Sequence, residues 1–159
     1  GDVYKRQTNV KSDAIDIDFG KGNIINSNFE NIFGDAIDLS GSDVLLKNIS
    51  ATNVADKAIS AGEETILKIE KLNISNSRIG IASKDSSKVE GSEISISNCG
   101  LYDFAAYQKK SYFSGAHLDV GAISSCKESL VQKGSILIFN DKNINQKKFN
   151  VKKLYDGTL

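Results

Sequence analysis

The sequence repeats itself every 22 or 23 residues, and this period constrains the fold more than any other feature. The segment D-A-I-D at residues 13–16 recurs at residues 35–38, and related segments follow at residues 57–60, 80–83 and 103–106. A single repeat of this length cannot bury its own apolar face, so consecutive repeats must stack on one another. The sequence therefore predicts a solenoid.

The residues within each repeat favour strands over helices. Apolar side chains alternate with polar ones over short stretches, as in Ile15-Asp16-Ile17, and this is the period of a half-buried strand. Gly, Asn, Asp and Ser separate these stretches and are typical of turns. We therefore expect an all-β parallel β-helix of about five coils over residues 8–127, with two or three short strands in each coil.

Two other solenoids fit the pattern less well. A leucine-rich repeat needs regularly spaced leucines and a helical or 3₁₀ return, whereas isoleucine outweighs leucine in this chain. A left-handed hexapeptide β-helix would show a six-residue subperiod, which is not found. The parallel β-helix with coils of 22–23 residues remains the best interpretation.

Residues 12–125 resemble the right-handed parallel β-helix proteins of the pectate-lyase-like superfamily. The 22–23-residue step, the D-A-I-D segments and an asparagine column carry this resemblance. More narrowly, D-K-A-I-S at 56–60, I-G-I-A-S-K-D at 79–85 and A-A-Y-Q-K-K at 105–110 are similar to β-helix regions of large bacterial surface proteins, some with a spore-coat-kinase-like domain. The resemblance implies a right-handed coil in a longer exported protein, at the cell surface or outside the cell. Its expected partners are polysaccharide and upstream domains of the same chain.

The two ends of the chain are expected to differ from the coils. Residues 1–7, G-D-V-Y-K-R-Q, match the translated end of a transposase adapter from DNA sequencing libraries, and we interpret them as an artefact. In residues 128–159 the apolar pattern no longer aligns with the D-A-I-D column. Since an open solenoid end must be covered, we expect these residues to form a small C-terminal β cap over the last coil.

Charge and hydropathy exclude two classes of partner. The 20 basic residues balance the 20 acidic ones, so net charge gives no reason to expect nucleic acid. No apolar run approaches the roughly 18 residues that a membrane-spanning helix needs. We therefore expect neither nucleic-acid binding nor membrane insertion.

An acidic column is the candidate metal site. In-register stacking would place Asp13 beside Asp35 and Asp16 beside Asp38, about 4.8 Å apart, with Asp18 nearby. Like charges this close repel unless a cation or a shared proton relieves them, and clustered oxygen ligands favour calcium. The pattern predicts Asp16, Asp18 and Asp38 as metal ligands, although no cofactor is expected to be required. The alternative is that these carboxylates point outward into water.

An insertion after the fifth coil, predicted over residues 105–115, is the candidate carbohydrate site. Its residues Tyr107, Gln108, Lys109, Lys110 and Tyr112 interleave aromatic rings with polar groups. Aromatic faces offer apolar area to sugar rings, while amide and ammonium groups can bind hydroxyls or carboxylates. We expect this loop to bind polysaccharide; packing of the loop against the coils is the alternative.

Two further columns have expected structural roles. One asparagine occupies the same position in four repeats, and these residues should form a ladder, either buried or at a corner, that is hydrogen-bonded along the stack: Asn31, Asn53, Asn76 and Asn98. Subtracting the loop insertion aligns Ile96 with Ile123, which would stack Cys99 on Cys126. Both cysteines should then be buried, either as stacked thiols or as a disulfide.

Known catalytic patterns of the resembling enzymes are incomplete in this chain. The D-P-H-D motif of alginate epimerases is absent because the chain has no proline, and the single histidine, His117, is not in a G-H-G motif. Arg78 is the sole arginine outside residues 1–7, and we expect it to lie far from Asp38. The sequence therefore predicts a non-catalytic, polysaccharide-binding β-helix module. The alternatives are a truncated polysaccharide lyase or epimerase and a purely structural spacer.

Overall fold

A computed structural model describes residues 1–125 and 127–159. The chain forms a parallel β-solenoid of about six turns, so the predicted fold class is confirmed with one more turn than expected. The right-handed sense of the coils stays a prediction. The elements are β1 (Asp2–Val3), β2 (Arg6–Val10), β3 (Ile15–Asp18), β4 (Lys21–Ile32), β5 (Ile37–Ser40), β6 (Asp43–Gly62), β7 (Ile66–Lys84), β8 (Lys88–Tyr107), β9 (His117–Ser124), β10 (Leu130–Val131), β11 (Ile136–Phe139), β12 (Lys142–Asn143) and α1 (Lys152–Tyr155).

The repeated segments stack in the register that the period predicts. Ile15 of β3 pairs with Ile37 of β5, which pairs with Ile59 of β6. The column continues through Ile81 of β7 to Phe104 of β8. Because the strands are parallel and the step is one repeat, each sequence position becomes a column of side chains along the solenoid axis.

The core consists of inward-facing apolar columns. Phe29, Ala51, Ile74 and Ile96 stack in one of them, and all four are buried. The large Phe29 lies next to the small Ala51, which keeps the column evenly filled. Burial of such columns is the main stabilising contribution, at roughly 25 cal/mol per Å² of apolar surface removed from water.

Residues 2–10 pack on β4 as the first turn. Gln7 pairs with Phe29 and so enters the apolar column, where its Oε1 is buried without a hydrogen bond among the described residues. The origin of residues 1–7 in an adapter stays a prediction.

The corner of the solenoid explains why one column is asparagine. Asn9, Asn31, Asn53, Asn76 and Asn98 all have left-handed backbone conformations, with φ between 55° and 61°. This region is costly for most residues, whereas asparagine tolerates it. The same conformation recurs at a second corner, which the sequence comparison missed, at Asn26, Asn48, Lys71 and Glu93.

The predicted cap boundary at residue 128 is wrong. β10 pairs in parallel with β8, and β11 pairs in parallel with β9, so residues 130–139 belong to the solenoid. The reason is that Val131 and Leu137 continue the buried inward columns, although the repeated sequence motif is no longer recognisable there.

The cap itself begins after β11. Asn140 and Asp141 have φ values of 47° and 65°, which suit a two-residue hairpin turn. This turn reverses the chain, so that β12 pairs antiparallel with β11. Ile144 then packs against the core, so this hairpin lies at the end of the apolar interior.

The last segment crosses to the side of the solenoid. Leu154 of α1 is 4% exposed and packs with Ile79, Ala82, Ala105 and Leu130. The expectation that residues 128–159 cover only the last coil is therefore corrected, because their final turn covers an apolar patch on a side face.

Candidate functional site

A groove of about 920 Å³ follows the asparagine corner. Its lining includes the whole asparagine column and the residues two positions after each of the last four asparagines. Those residues are Phe33, Ala55, Arg78 and Gly100. Lys127 also lines the groove. The groove therefore extends along five asparagine-bearing turns rather than within one.

The asparagine side chains form a ladder along this groove. Asn31 Nδ2 donates to Asn9 Oδ1 at 3.1 Å, and Asn53 Nδ2 donates to Asn31 Oδ1 at 3.0 Å. Asn76 Nδ2 continues the ladder to Asn53 Oδ1 at 2.8 Å. Asn98 lies at the same corner with φ 55°, and Asn9 is a member that the sequence comparison missed because it precedes the first D-A-I-D segment.

The ladder leaves part of each amide available to a ligand. A primary amide has two N–H donors and two acceptor lone pairs. Asn31 and Asn53 each spend one N–H and one lone pair on their ladder neighbours. Both side chains are exposed rather than buried, so each retains one donor and one acceptor for another partner.

The groove adds an aromatic ring and cations to these amides. Phe33 is 66% exposed, so its ring is accessible to a ligand. The guanidinium of Arg78 is held in place, because Nη2 donates to the carbonyl oxygen of Leu154 at 3.0 Å and Nη1 lies 3.5 Å from Asp56 Oδ1. Since an arginine has five N–H donors, Arg78 keeps donors for a ligand.

The predicted sugar-binding role of Tyr107 is wrong. Tyr107 is the last residue of β8, is 0% exposed, and its hydroxyl lies 2.6 Å from the hydroxyl of Tyr155. The insertion starts later than expected, because β8 continues to pair with β7 as far as Lys84 and Tyr107. A fully buried ring cannot stack on a sugar.

The rest of the predicted loop is largely occupied by its own contacts. The side-chain amide of Gln108 donates to the carbonyl oxygens of Ser111 and Phe113. The Lys110 ammonium is paired with Glu63. Thus two of the predicted polar groups already have partners within the chain.

Asp85 fixes the backbone of the same loop. Its Oδ1 accepts the backbone N–H groups of Lys109 and Lys110 at 2.7 and 2.9 Å. The Lys109 ammonium lies 4.5 Å from the centre of the Tyr155 ring. Tyr112 is 76% exposed and keeps an accessible ring, so the predicted residues do not form one common binding surface.

The acidic column stacks as expected, but a different set of carboxylates converges. Asp16 pairs with Asp38, and Asp13 Oδ1 accepts the backbone N–H of Asp35 at 2.6 Å. The ligand atoms of Asp13, Asp35 and Asp38 lie within 4.8 Å of one another. Asp16 and Asp18 are exposed, and of the predicted metal ligands only Asp38 belongs to the convergent group.

Two buried lysines compensate this acidic group. Lys57 Nζ lies 3.5 Å from Asp35 Oδ1 and 2.7 Å from Asp56 Oδ2. Lys84 Nζ lies 4.0 Å from Asp38 Oδ1. A signal for the first pair exists in the sequence, since Lys57 occupies the repeat position of Asp13 and Asp35.

Burial changes the proton affinities in this cluster. Burial raises the pKa of Asp35 to about 6, because the loss of hydration outweighs the attraction of Lys57. Burial also lowers the pKa of the Lys84 ammonium, against the opposing effect of Asp38. Both shifts disfavour the charged form, so keeping Asp35 and Lys84 ionised lowers the stability of the folded chain.

Calcium binding stays a prediction, and the structure sharpens its test. Carboxylate oxygens suit calcium, and Asp38 Oδ1 is buried without a hydrogen bond among the described residues. If calcium binds the convergent carboxylates, millimolar calcium should raise the melting temperature of the wild type, and Asp38→Asn should abolish that rise. Asp18→Asn should leave it intact. A wild-type melting temperature unchanged by calcium would remove the metal interpretation.

Ser60 is a second buried group in this cluster with no hydrogen-bond partner in the described part of the chain. It pairs with Asp38 on one side and Ala82 on the other, and its Oγ has no hydrogen bond among the described residues. The Lys84 side chain crosses next to it over Gly62, where an added Cβ would lie 3.3 Å from Lys84 Cε.

We expect Ser60→Ala to raise the free energy of unfolding by about 1 kcal/mol, because it removes a buried hydroxyl that gains no hydrogen bond. Chemical denaturation measures this change. Ser83→Ala is the matched control, since Ser83 is equally buried but its Oγ donates to the carbonyl oxygen of His117 at 2.9 Å. That variant should lose stability. Equal losses in both variants would show that Ser60 Oγ has a partner.

The predicted cysteine stack lies outside the described residues, because Cys126 is not described. Cys99 itself is buried in the column of Val54 and Ser77, as expected. The alignment of Ile96 with Ile123 is wrong. Ile123 is 75% exposed and Ser124 pairs with Ser95, because β9 pairs with β8 at an offset of 28 or 29 residues instead of the 27 that separate Ile96 from Ile123.

Comparison with known proteins leaves the site to be interpreted from its own geometry. The chain matches no protein-family model, no curated protein and no solved structure. Within the described residues, no helix combines the length and apolar character that crossing a membrane requires.

Proposed function

We propose that this chain is a non-catalytic module that binds polysaccharide in the asparagine groove. The proposal rests on an elongated groove of about 920 Å³ that is lined by a row of asparagine amides. Each of Asn31 and Asn53 has one N–H donor and one acceptor lone pair that the ladder does not use. Successive turns are about 4.8 Å apart. A linear glycan also repeats its hydroxyl groups along its length, so it can meet several turns at once.

The chemistry of the lining suits a sugar chain. Hydroxyl groups both donate and accept hydrogen bonds, as do the spare N–H and lone pair of each ladder asparagine. The exposed ring of Phe33 offers an apolar face for a pyranose. Ligand sites commonly combine such apolar area with a few fixed polar groups, and Arg78 and Lys127 supply cationic donors.

The sequence resemblance supports the cellular setting of this proposal. The pectate-lyase-like repeat and the likeness to β-helix regions of bacterial surface proteins favour a longer, exported parent protein. Such a protein works at the cell surface or outside the cell, where polysaccharides are abundant. The module would then present its groove to glycan while other domains of the chain perform other tasks.

A polysaccharide lyase or epimerase remains the second candidate function. The observation that favours it is the buried cluster in which the pKa of Asp35 is raised to about 6 and that of Lys84 is lowered. Such shifts are typical of groups that exchange protons near neutral pH. Against it, each group already has an ion-pair partner, Lys57 for Asp35 and Asp38 for Lys84.

A glycan array followed by titration calorimetry tests the proposal. The array should identify at least one soluble polysaccharide that binds the full chain. Phe33→Ala should weaken that binding about fivefold, because a stacked aromatic face contributes about 1 kcal/mol. Asn53→Ala should also weaken it, by interrupting the ladder. Tyr112→Ala is the matched control, since it removes an equally exposed ring outside the groove and should keep full affinity.

Two outcomes contradict the proposal in different ways. If no glycan on the array binds, a purely structural spacer becomes the better interpretation. If Tyr112→Ala loses binding while Phe33→Ala keeps it, the glycan site is the loop rather than the groove.

A further inference from the structure

We infer that residues 149–155 form a strap whose docking is coupled to occupancy of the asparagine groove through Arg78. The coupling rests on the proposed function of the groove. The hydrogen bond from Arg78 to the carbonyl oxygen of Leu154, called the latch below, does not depend on that function and can be tested without any ligand.

Side-chain contacts hold the strap on the side of the solenoid, where Phe149 and Val151 pack in the same apolar cluster as Leu154. Leu154 fills the apolar patch around Ala82 and Ala105. The Tyr155 hydroxyl lies 2.6 Å from the Tyr107 hydroxyl. The ring of Tyr155 also lies under the Lys57 ammonium, at 5.6 Å from the ring centre, a distance at which a cation is attracted to the ring.

Arg78 belongs to the groove and to the strap at once. Its side chain lines the groove, while Nη2 donates to the carbonyl oxygen of Leu154 at 3.0 Å. Nη1 lies 3.5 Å from Asp56, whose other oxygen lies 2.7 Å from Lys57 Nζ. Lys57 in turn contacts Tyr155. Arg78 is therefore connected to the strap twice, directly at Leu154 and through Asp56 and Lys57 at Tyr155.

The strap has the features of an element that can detach on its own. Its helix has four residues and its N-cap makes no side-chain hydrogen bond, and so short a helix is not stable without packing. No residue of the strap pairs with a strand in the described part of the chain. Such elements open at lower free energy than the whole fold.

Docking of the strap organises the groove. When the strap is docked, two of the five N–H donors of Arg78 have fixed acceptors and the guanidinium is held at the groove wall. A ligand that uses the remaining donors then meets a preorganised group. Because coupling between two equilibria is reciprocal, a glycan in the groove should in turn stabilise the docked strap.

Hydrogen–deuterium exchange of the full chain without ligand tests the latch. Arg78→Gln should speed exchange in residues 149–155 by about fivefold or more, while exchange in β4 stays at the wild-type rate. Lys127→Gln is the matched control, because it removes another cation from the groove lining. Unchanged exchange in the strap of Arg78→Gln would overturn the latch. If Arg78→Gln also speeds exchange in β4, Arg78→Lys replaces it and is judged by the same criterion.

Glycan binding to strap variants tests the coupling. Leu154→Ala and Tyr155→Phe weaken docking without changing a groove residue. The polysaccharide selected on the array should bind them about fivefold more weakly than the wild type, and it should slow exchange in residues 149–155 of the wild type. Equal affinity in a variant whose strap exchanges faster would overturn the coupling. If no glycan binds the wild type, the proposed function and the coupling fail together, whereas the latch still stands or falls on the exchange result.

Discussion

Replacing Lys57 with methionine should lower the free energy of unfolding by about 3–5 kcal/mol, the usual cost of removing one partner of a buried ion pair. Lys57 and Asp35 are both buried, and the ammonium lies 3.5 Å from Asp35 Oδ1 and 2.7 Å from Asp56. Without Lys57 the carboxylate of Asp35 would remain buried beside Asp13 and Asp38 with less compensating charge. Urea denaturation at neutral pH measures the loss.

Two variants separate this ionic effect from lost packing. In the double variant Lys57→Met with Asp35→Asn, most of the stability should return, because no charge is left uncompensated at Asp35. Lys47→Met is the matched control, since Lys47 is exposed and lies 3.8 Å from Glu70, and exposed pairs contribute about 1 kcal/mol or less. A Lys57→Met variant that loses no more than Lys47→Met would contradict the compensating role of Lys57.

The stability of the protein should fall as pH rises from about 4 to about 6.5 because of Asp35. The pKa of Asp35 is about 6 in the folded chain, against 3.8 for an aspartate in water, so the fold binds this proton more tightly than the unfolded chain does. The contribution is therefore fully present below pH 3.8 and is lost as pH passes 6. A shift of this size corresponds to about 3 kcal/mol.

Urea denaturation across pH 4.5 to 7 measures this dependence in the wild type and in Asp35→Asn. The asparagine keeps the shape of Asp35 and an oxygen that can accept the Lys57 backbone N–H, which Asp35 Oδ1 accepts at 2.9 Å, but it does not titrate. We expect the pH slope to flatten in that variant. A slope of the same size in both proteins would assign the pH dependence to other groups, with Asp16 the first to test because its pKa is also raised, by partial loss of hydration and by the charge of Asp18.

The stacking register is the part of the structure that could be predicted most fully. A parallel solenoid converts a sequence period into columns, so the equivalence of Asp16 and Asp38, or of Ile37 and Ile59, follows from counting. The asparagine ladder follows for the same reason. The choice between a buried ladder and one at an exposed corner does not follow from the period, because the left-handed φ of Asn53 depends on the turn and not on the residue type alone.

Contacts that cross the columns could not be obtained by counting. Lys84 reaches back over Gly62 to Asp38 two turns away, and nothing in the period says which way a long side chain extends. The bond from Arg78 to Leu154 joins residues 76 positions apart, one of them outside the repeat. These contacts decide how the acidic column is compensated and where the C-terminal segment docks.

The insertion after β8 is where sequence reasoning misplaced two residues, Tyr107 and Ile123. Starting it at Ala105 rather than after Tyr107 turned a buried tyrosine into a predicted sugar ligand. Undercounting the length of the insertion separately aligned Ile123 with a core position, although β9 pairs in another register and the side chain is exposed. The repeat carries no signal for the end of a strand when small residues such as Ala105 and Ala106 fill the outward and inward positions alike.

The most direct test of the groove as a glycan site is the NMR spectrum of the asparagine side chains. The full chain, labelled with ¹⁵N, would be titrated with the polysaccharide that the array selects, and the side-chain amide signals of Asn31, Asn53 and Asn76 followed. These amides line the groove and each keeps one N–H outside the ladder, so their signals should shift in proportion to occupancy. Shifts confined to Tyr112 and its loop, with the ladder amides unchanged at saturation, would contradict the account.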